Sequence, residues 1–357
     1  MLALLEGQRA AGPVSPLLLA LLAALLFGAS TPASKLLLGT LPPLHLAGLL
    51  YLGAAAGMLP VALRDRRRRP RKPIDRRNLG RLAGSVVFGG IVGPVLVLLA
   101  LRRSTSGSVA LLLNLEIVAT AVLGVALFRE HLGRLGWGGV AGGLAAGALI
   151  SAGSGWPGLR AGLLVAGACL AWGLDNHFTA LIDALGPAEA AVWKGLVAGG
   201  TNLTLGLALE PAHPALGAVL GALVVGVFSF GLSIVLYVVA AQHLGATRAQ
   251  AAFASAPFLG AGLSFVLLGE PLGWEHLVAA ILLVAGVALL VLDRHEHAHV
   301  HPALEQVHRH RHDDGHHLHV HPGLAPSVRH THVHRHEPLA HAHRHLPDLH
   351  HRHAHRG

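Results

Sequence analysis

Three places in the chain carry residues suited to chemistry. Glu116 lies about ten residues into an apolar run (108–128), where a carboxylate surrounded by hydrocarbon is costly and ordinarily faces a polar cavity. Such an acid exchanges a proton or binds a cationic group. The structural alternative is a buried Glu paired with a hydroxyl or with Asn114, which adds packing but no transport chemistry. Asp175, Asn176 and His177 form a second polar cluster inside another apolar run (159–181). Residues two apart on one helix diverge by about 200°, so Asp175 and His177 ligate one ion only if the helix unwinds.

The third place is the segment after Leu292, which holds 22 of the 28 histidines. They recur as His-x-His pairs: His295, His297, His299 and His301; His308, His310 and His312; His319 and His321; His332, His334 and His336; His341, His343 and His345; His353 and His355. Neutral imidazoles at that density suit Zn²⁺, Ni²⁺, Co²⁺ or Cu²⁺, with affinity falling as they protonate near about pH 6.5. No cysteine accompanies them, so the tail does not choose sharply among those metals. With few large apolar residues the segment (293–357) has no means to build a core and is expected to be disordered. Its roles are open between a metal buffer feeding an exporter, a pH-sensitive charge brush and a neutral extension.

The elements that must hold these groups are membrane helices. Hydrophobic residues make up 53% of the chain and charged residues 13%, with most charge confined to one loop and the tail. Stretches near the roughly twenty residues needed to cross hydrocarbon recur at 16–38, 45–63, 82–101, 108–128, 137–151, 159–181, 188–207, 216–241, 249–268 and 274–292. They are continuous in Leu, Ala, Val and Gly, whereas barrel strands would alternate. Residues 17–30 read as a retained first span rather than a cleaved signal, because Glu6 and no basic cluster precedes them. The expected fold is an all-α integral membrane protein.

Orientation follows from the loop 64–81, where Arg66 to Arg69, Arg71, Lys72, Arg76 and Arg77 face only Asp65 and Asp75. That loop is expected in the cytoplasm, which with ten spans puts both chain ends there too. It is a topology signal rather than a nucleic-acid or lipid-specific site, so the net charge of +9 says little about partners. The single cysteine, Cys169, excludes an internal disulfide and a Cys-based zinc site.

The chain also says nearly the same thing twice. Leu127, Phe128, Arg129, Glu130 recurs as Leu267, Leu268, Gly269, Glu270, each followed by Leu and Gly. Phe27, Gly28, Ala29, Ser30, Thr31 in the first span align with Trp172, Gly173, Leu174, Asp175, Asn176 in the sixth. Five spans per copy is an odd number, so the copies enter the membrane with opposite orientation, and inverted repeats normally bind substrate near the midplane between them. The organisation read from this is an N-terminal segment (1–15), a first repeat (16–151), a second repeat (159–292) and the tail.

On the aromatic-Gly motif of spans one and six, Asn114, Leu115, Glu116 in span four, and the Glu closing spans four and nine, residues 17–292 resemble the EamA type of the drug/metabolite transporter superfamily. The chain departs from the usual pattern at Ile117, where a Pro is common, and at Ala256, opposite Glu116. The resemblance implies ten helices and transport of a small solute by alternating access, often export. Candidate solute-binding residues are then Ser30, Thr31, Asn114, Glu116, Trp172, Asp175, Asn176 and His177. Lys35 and Lys194 are expected to snorkel to headgroups, and Glu130 and Glu270 to be structural.

The expected protein is a secondary transporter of the bacterial inner membrane, not an enzyme. Its partners are the lipid bilayer, a small-molecule solute and divalent metal ions bound by the tail, with no nucleic acid and no required cofactor. No Gly-x-x-x-x-Gly-Lys loop points to ATP. The alternatives are divalent-metal efflux and a membrane metal or pH sensor without transport.

Overall fold

Backbone groups in hydrocarbon find no water, so apolar runs of this length fold as helices that satisfy their own hydrogen bonds. The structure is a computed structural model that describes residues 15–68, 73–128, 132–153, 155–244, 246–293, 295–301, 304–310, 330–336 and 339–345. The N-terminal segment up to residue 14, Glu130, His312, His319, His321, His353 and His355 lie outside the described residues.

Among the described residues eight helices are long and apolar enough to cross a membrane: Pro16–Leu37, Pro43–Arg66, Arg76–Leu101, Ser106–Leu127, Arg134–Gly153, Gly155–Ala180, Leu216–Ala241 and Trp274–Leu292. The seventh position is taken by Pro187–Leu209 and the ninth by Ala246–Phe253 followed by Ala256–Leu268. We number these elements as spans one to ten in chain order. The protein is a multi-pass membrane protein. Span three starts at Arg76, earlier than hydropathy alone predicts, because the Asp75 side chain caps it by accepting from the Asn78 backbone N–H at 2.8 Å.

Several spans are interrupted, and at matching places. Span four divides into Ser106–Leu112 and Leu115–Phe128, and span nine into the two helices given above. Spans three and eight both pass through a π-helical stretch, Ser85–Val92 and Gly226–Leu232, each carrying a Phe-Gly pair (Phe88 and Gly89; Phe230 and Gly231). A π-helix leaves carbonyls without their usual partners, and such stretches concentrate at functional sites.

Packing follows a two-fold exchange between the repeats. Span one packs on eight and nine, span six on three and four, span two on seven and eight, span seven on two and three, and span five on ten. An inverted repeat produces this pattern. Spans one and nine cross where only glycine fits: a Cβ on Gly28 would lie 2.4 Å from the Ala256 carbonyl oxygen. Leu46, Leu101, Val109, Leu112 and Val165 fill the interior, while Leu163, Leu207, Val266 and Ile281 stand exposed on the outside, as lipid-facing positions should.

The chain divides into two units at residue 292. Among the described residues the second unit contains four strands, β1 (His295–His301), β2 (Leu304–His310), β3 (His330–His336) and β4 (Leu339–His345). β1 pairs antiparallel with β4 and β2 with β3. The period-two His-x-His repeat is the repeat of an extended strand, and backbone pairing needs no buried core.

Candidate functional site

The helix that begins at Leu115 starts inside the membrane, and Glu116 occupies its first turn. Unsatisfied N–H groups and the positive end of the helix dipole favour a carboxylate there. Its Oε1 accepts a hydrogen bond from Asn176 Nδ2 at 2.9 Å, and the same amide reaches Thr120 Oγ1 at 3.2 Å. Glu116 belongs to the first repeat and Asn176 to the second, so the bond joins the halves. Glu116 is half-buried and Asn176 exposed, which leaves the pair accessible.

Asp175 turns the other way, into the protein. Its Oδ1 accepts from Ser85 Oγ (2.5 Å), Thr179 Oγ1 (2.9 Å) and Lys194 Nζ (2.7 Å), and its Oδ2 accepts from Lys194 Nζ at 2.7 Å. The expectation that Lys194 snorkels to headgroups is therefore corrected. About two turns into span seven, it meets a buried carboxylate of span six that offers it a full charge. The carboxylate fits only because residue 89 lacks a side chain: a Cβ on Gly89 would lie 2.0 Å from Asp175 Oδ2. His177 is buried, with Nδ1 donating to the Gly173 carbonyl at 2.7 Å. Among the described residues no group of three or more His, Cys, Asp or Glu side chains is placed to hold a metal ion.

The π-helical stretch of span three is pinned from three sides. The Gly89 carbonyl accepts from Tyr51 Oη at 2.5 Å and Trp172 Nε1 at 3.1 Å, and the Gly90 carbonyl from Asn202 Nδ2 at 3.0 Å. Trp172 thus satisfies backbone beside Asp175. Phe27 packs on Phe230 and Phe253, with ring centroids 5.6 and 5.4 Å apart, and Tyr51 stands 6.2 Å from Phe230.

Of the sequence candidates, the structure brings Glu116 to Asn176 and places Asp175 and Trp172 behind them. Asn114 sits buried in the break of span four, its amide donating to the Leu111 carbonyl at 3.0 Å. Ser30 and Thr31 are buried just past the bend of span one at Ala29, and no described hydrogen bond joins either to Glu116. Sequence reasoning missed Ser85, Tyr51, Thr179 and the role of Lys194. A Lys and an Asp inside consecutive spans were the available signal, since intramembrane charges pair.

The two membrane ends differ. At the end away from the basic loop, Glu270 accepts from the Ser106 N–H (2.7 Å), Ser106 Oγ (3.0 Å) and the Gly107 N–H (2.8 Å). His276 Nε2 meets Ser108 Oγ at 2.8 Å, and Glu210 accepts from the Leu44 N–H at 3.0 Å. Lys35 is also corrected from headgroup contact: its Nζ donates to the Leu101 and Ser104 carbonyls at 2.5 and 2.8 Å, capping the end of span three. At this far end Ser106–Leu112 and Ala256–Leu268 pack together, whereas at the basic-loop end Leu115–Phe128 and Ala246–Phe253 do not pack closely. Arg81 and Asn78 tie span three to the end of span six there, donating to the Leu181 carbonyl (2.6 Å) and accepting from the Asp183 N–H (3.1 Å).

Two interlocked five-helix repeats, matched helix breaks and an intramembrane acid bridging the halves define a membrane transporter of the inverted-repeat class. The EamA-like transporter family model matches residues 14–152 and again 159–292, and the chain belongs to that family. Its members are transporters, not enzymes. A relative described as an uncharacterized transporter from Methanothermobacter thermautotrophicus is 26% identical over 293 residues, spanning 75% of this chain and 83% of that protein. A solved crystal structure superposes with a TM-score of 0.55 at 17% identity, covering 78% of this chain and 97% of the other, a likeness of fold.

Proposed function

We propose that the protein exports a small organic solute across a bacterial inner membrane by alternating access, with both chain ends in the cytoplasm. The observation that carries this reading is the Glu116–Asn176 bond. It joins the repeats at a helix break, involves an exposed amide, and lies in the half of the bundle where spans four and nine part. A solute entering from the basic-loop end competes with Asn176 for the Glu116 carboxylate through a cationic or hydrogen-bond-donating group. Asp175 and Trp172 hold the wall behind it, and Ser30, Thr31, Asn114 and His177 line or support the path. Rocking of the repeats then carries the occupied site to the far end.

The tail binds divalent metal in the same proposal. The ladder register favours it: His297 pairs with His343 and His299 with His341 in one ladder, and His308 with His332 and His310 with His330 in the other. Positions two apart share a strand face and directly opposed positions are neighbours. Metal efflux, with the tail as collector, is the second reading that this register supports.

Reconstitution in liposomes, with and without residues 293–357, separates the readings. Uptake or release of labelled organic cations that does not depend on the tail supports the first. Zn²⁺, Ni²⁺ or Co²⁺ flux that weakens without the tail supports the second, and binding without any flux identifies a sensor.

A further inference from the structure

We infer that Glu270 is the latch of the far gate: its carboxylate clasps the N-terminus of the Ser106–Leu112 helix, and release of that clasp is the step that admits the far side to the site. The inference rests on the alternating-access reading above.

Three observations carry it. First, the clasp joins the repeats at one point. Glu270 follows Gly269, whose left-handed φ of 62° ends the Ala256–Leu268 helix and turns the chain toward span four. Both carboxylate oxygens are used: Oε1 takes the Ser106 N–H and hydroxyl, and Oε2 takes the Gly107 N–H. These N–H groups are among those a helix cannot satisfy internally, so an anion held there gains charge-assisted bonds and the dipole together.

Second, the clasp sits where the gating helices converge. Spans four and nine are both divided, so their far halves move as short units. Those halves pack together at the Glu270 end, while among the described residues the opposite halves show no close packing. His276 of span ten adds a bond to Ser108, one turn into the clasped helix, and its Nδ1 accepts from the Gly273 N–H at 3.2 Å.

Third, the clasp is of a kind that opens. It consists of one part-buried side chain against one helix end, so its release breaks three hydrogen bonds and separates no interdigitated backbone. The contacts nearer the middle, such as Gly28 against Ala256, are interdigitated backbone.

The test reads sidedness rather than transport. Cys169 is replaced by Ala, a single reporter thiol is placed at Thr120→Cys, and a membrane-impermeant maleimide is applied to vesicles of each orientation. With the latch intact the reporter labels from the basic-loop side and slowly from the far side. Glu270→Gln keeps the acceptor for Ser106 but points an amide at the Gly107 N–H. It raises far-side labelling about tenfold, the change expected from losing one bond to a charged group. Ser106→Ala removes only the hydroxyl bond and raises it about two- to fivefold, so the latch remains testable if the first variant folds poorly. Far-side labelling at the parent rate in both variants overturns the inference, as does an equal increase from both sides. Labelling as expected, together with no solute flux through the unsubstituted parent protein, would sink the transport reading and leave the latch standing.

Discussion

Replacing Lys194 by Met tests the polar tether among spans three, six and seven. The change leaves the Asp175 carboxylate with Ser85 and Thr179 on Oδ1 and no described partner on Oδ2. Deleting one partner of a buried pair costs about 3–5 kcal/mol. The two side chains are 11% and 19% exposed, which allows some screening, so we expect about 3 kcal/mol. Asp175→Asn keeps an acceptor for both hydroxyls and leaves an ammonium whose flexible stem reaches toward water, with a smaller cost of about 1–2 kcal/mol. The double variant removes both charges and costs about 1 kcal/mol relative to the parent. The coupling between the two sites is then about 3–4 kcal/mol. Reversible unfolding in mixed micelles on SDS titration measures all four proteins. Single-variant costs that add to within about 0.5 kcal/mol would refute the pairing, since additivity at that level marks independent sites.

Gly89→Ala forces a methyl group into the Asp175 carboxylate and lowers stability by about 1–3 kcal/mol in the same assay. Tyr51→Phe and Trp172→Phe each remove one donor to the Gly89 carbonyl and cost about 1 kcal/mol; together they exceed the sum, because the carbonyl is then left without either. Backbone and side-chain N–H bonds from Asn78 hold the Asp75 carboxyl below the usual carboxylate range. The folded value is the depressed one, so its cap is fully present above the ordinary carboxylate value of about 3.9 and is lost as pH falls through the lowered value. The protection of the Asn78 amide, its exchange rate relative to the unstructured rate at the same pH, should fall over that acidic window, and not in Asp75→Asn.

The architecture was largely legible because hydrocarbon leaves few options. Spans eight and ten fall at 216–241 and 274–292 as hydropathy placed them. The repeat is written in the aromatic-Gly positions of spans one and six and in the Glu closing spans four and nine, and the helix packing shows the matching two-fold exchange. Less legible were features set by partners distant in sequence. Lys194 reads as an anchor until Asp175, nineteen positions earlier, is seen to face it. Tyr51 carries no signal in the sequence and Trp172 reads as a candidate solute-binding residue, whereas in the folded chain both donate to the Gly89 carbonyl of the π-helical turn. Glu270 was legible as structural, but not its target: helix starts at Ser106 attract carboxylates generally, and only folding selects the one from the other repeat. Glu116 was found from sequence because a lone acid in an apolar run needs an explanation; its partner Asn176 came from the opposite repeat.

The most direct test of the account is solute flux through reconstituted protein carrying Glu116→Gln. Liposomes containing the parent are assayed against a panel of labelled small organic cations, and the variant is compared on whichever solute the parent moves. The account predicts that Glu116→Gln retains the parent's elution and unfolding profile but loses flux by about tenfold or more, since a charge-assisted contact is replaced by a neutral one. A folded Glu116→Gln protein that transports at the parent's rate would contradict it.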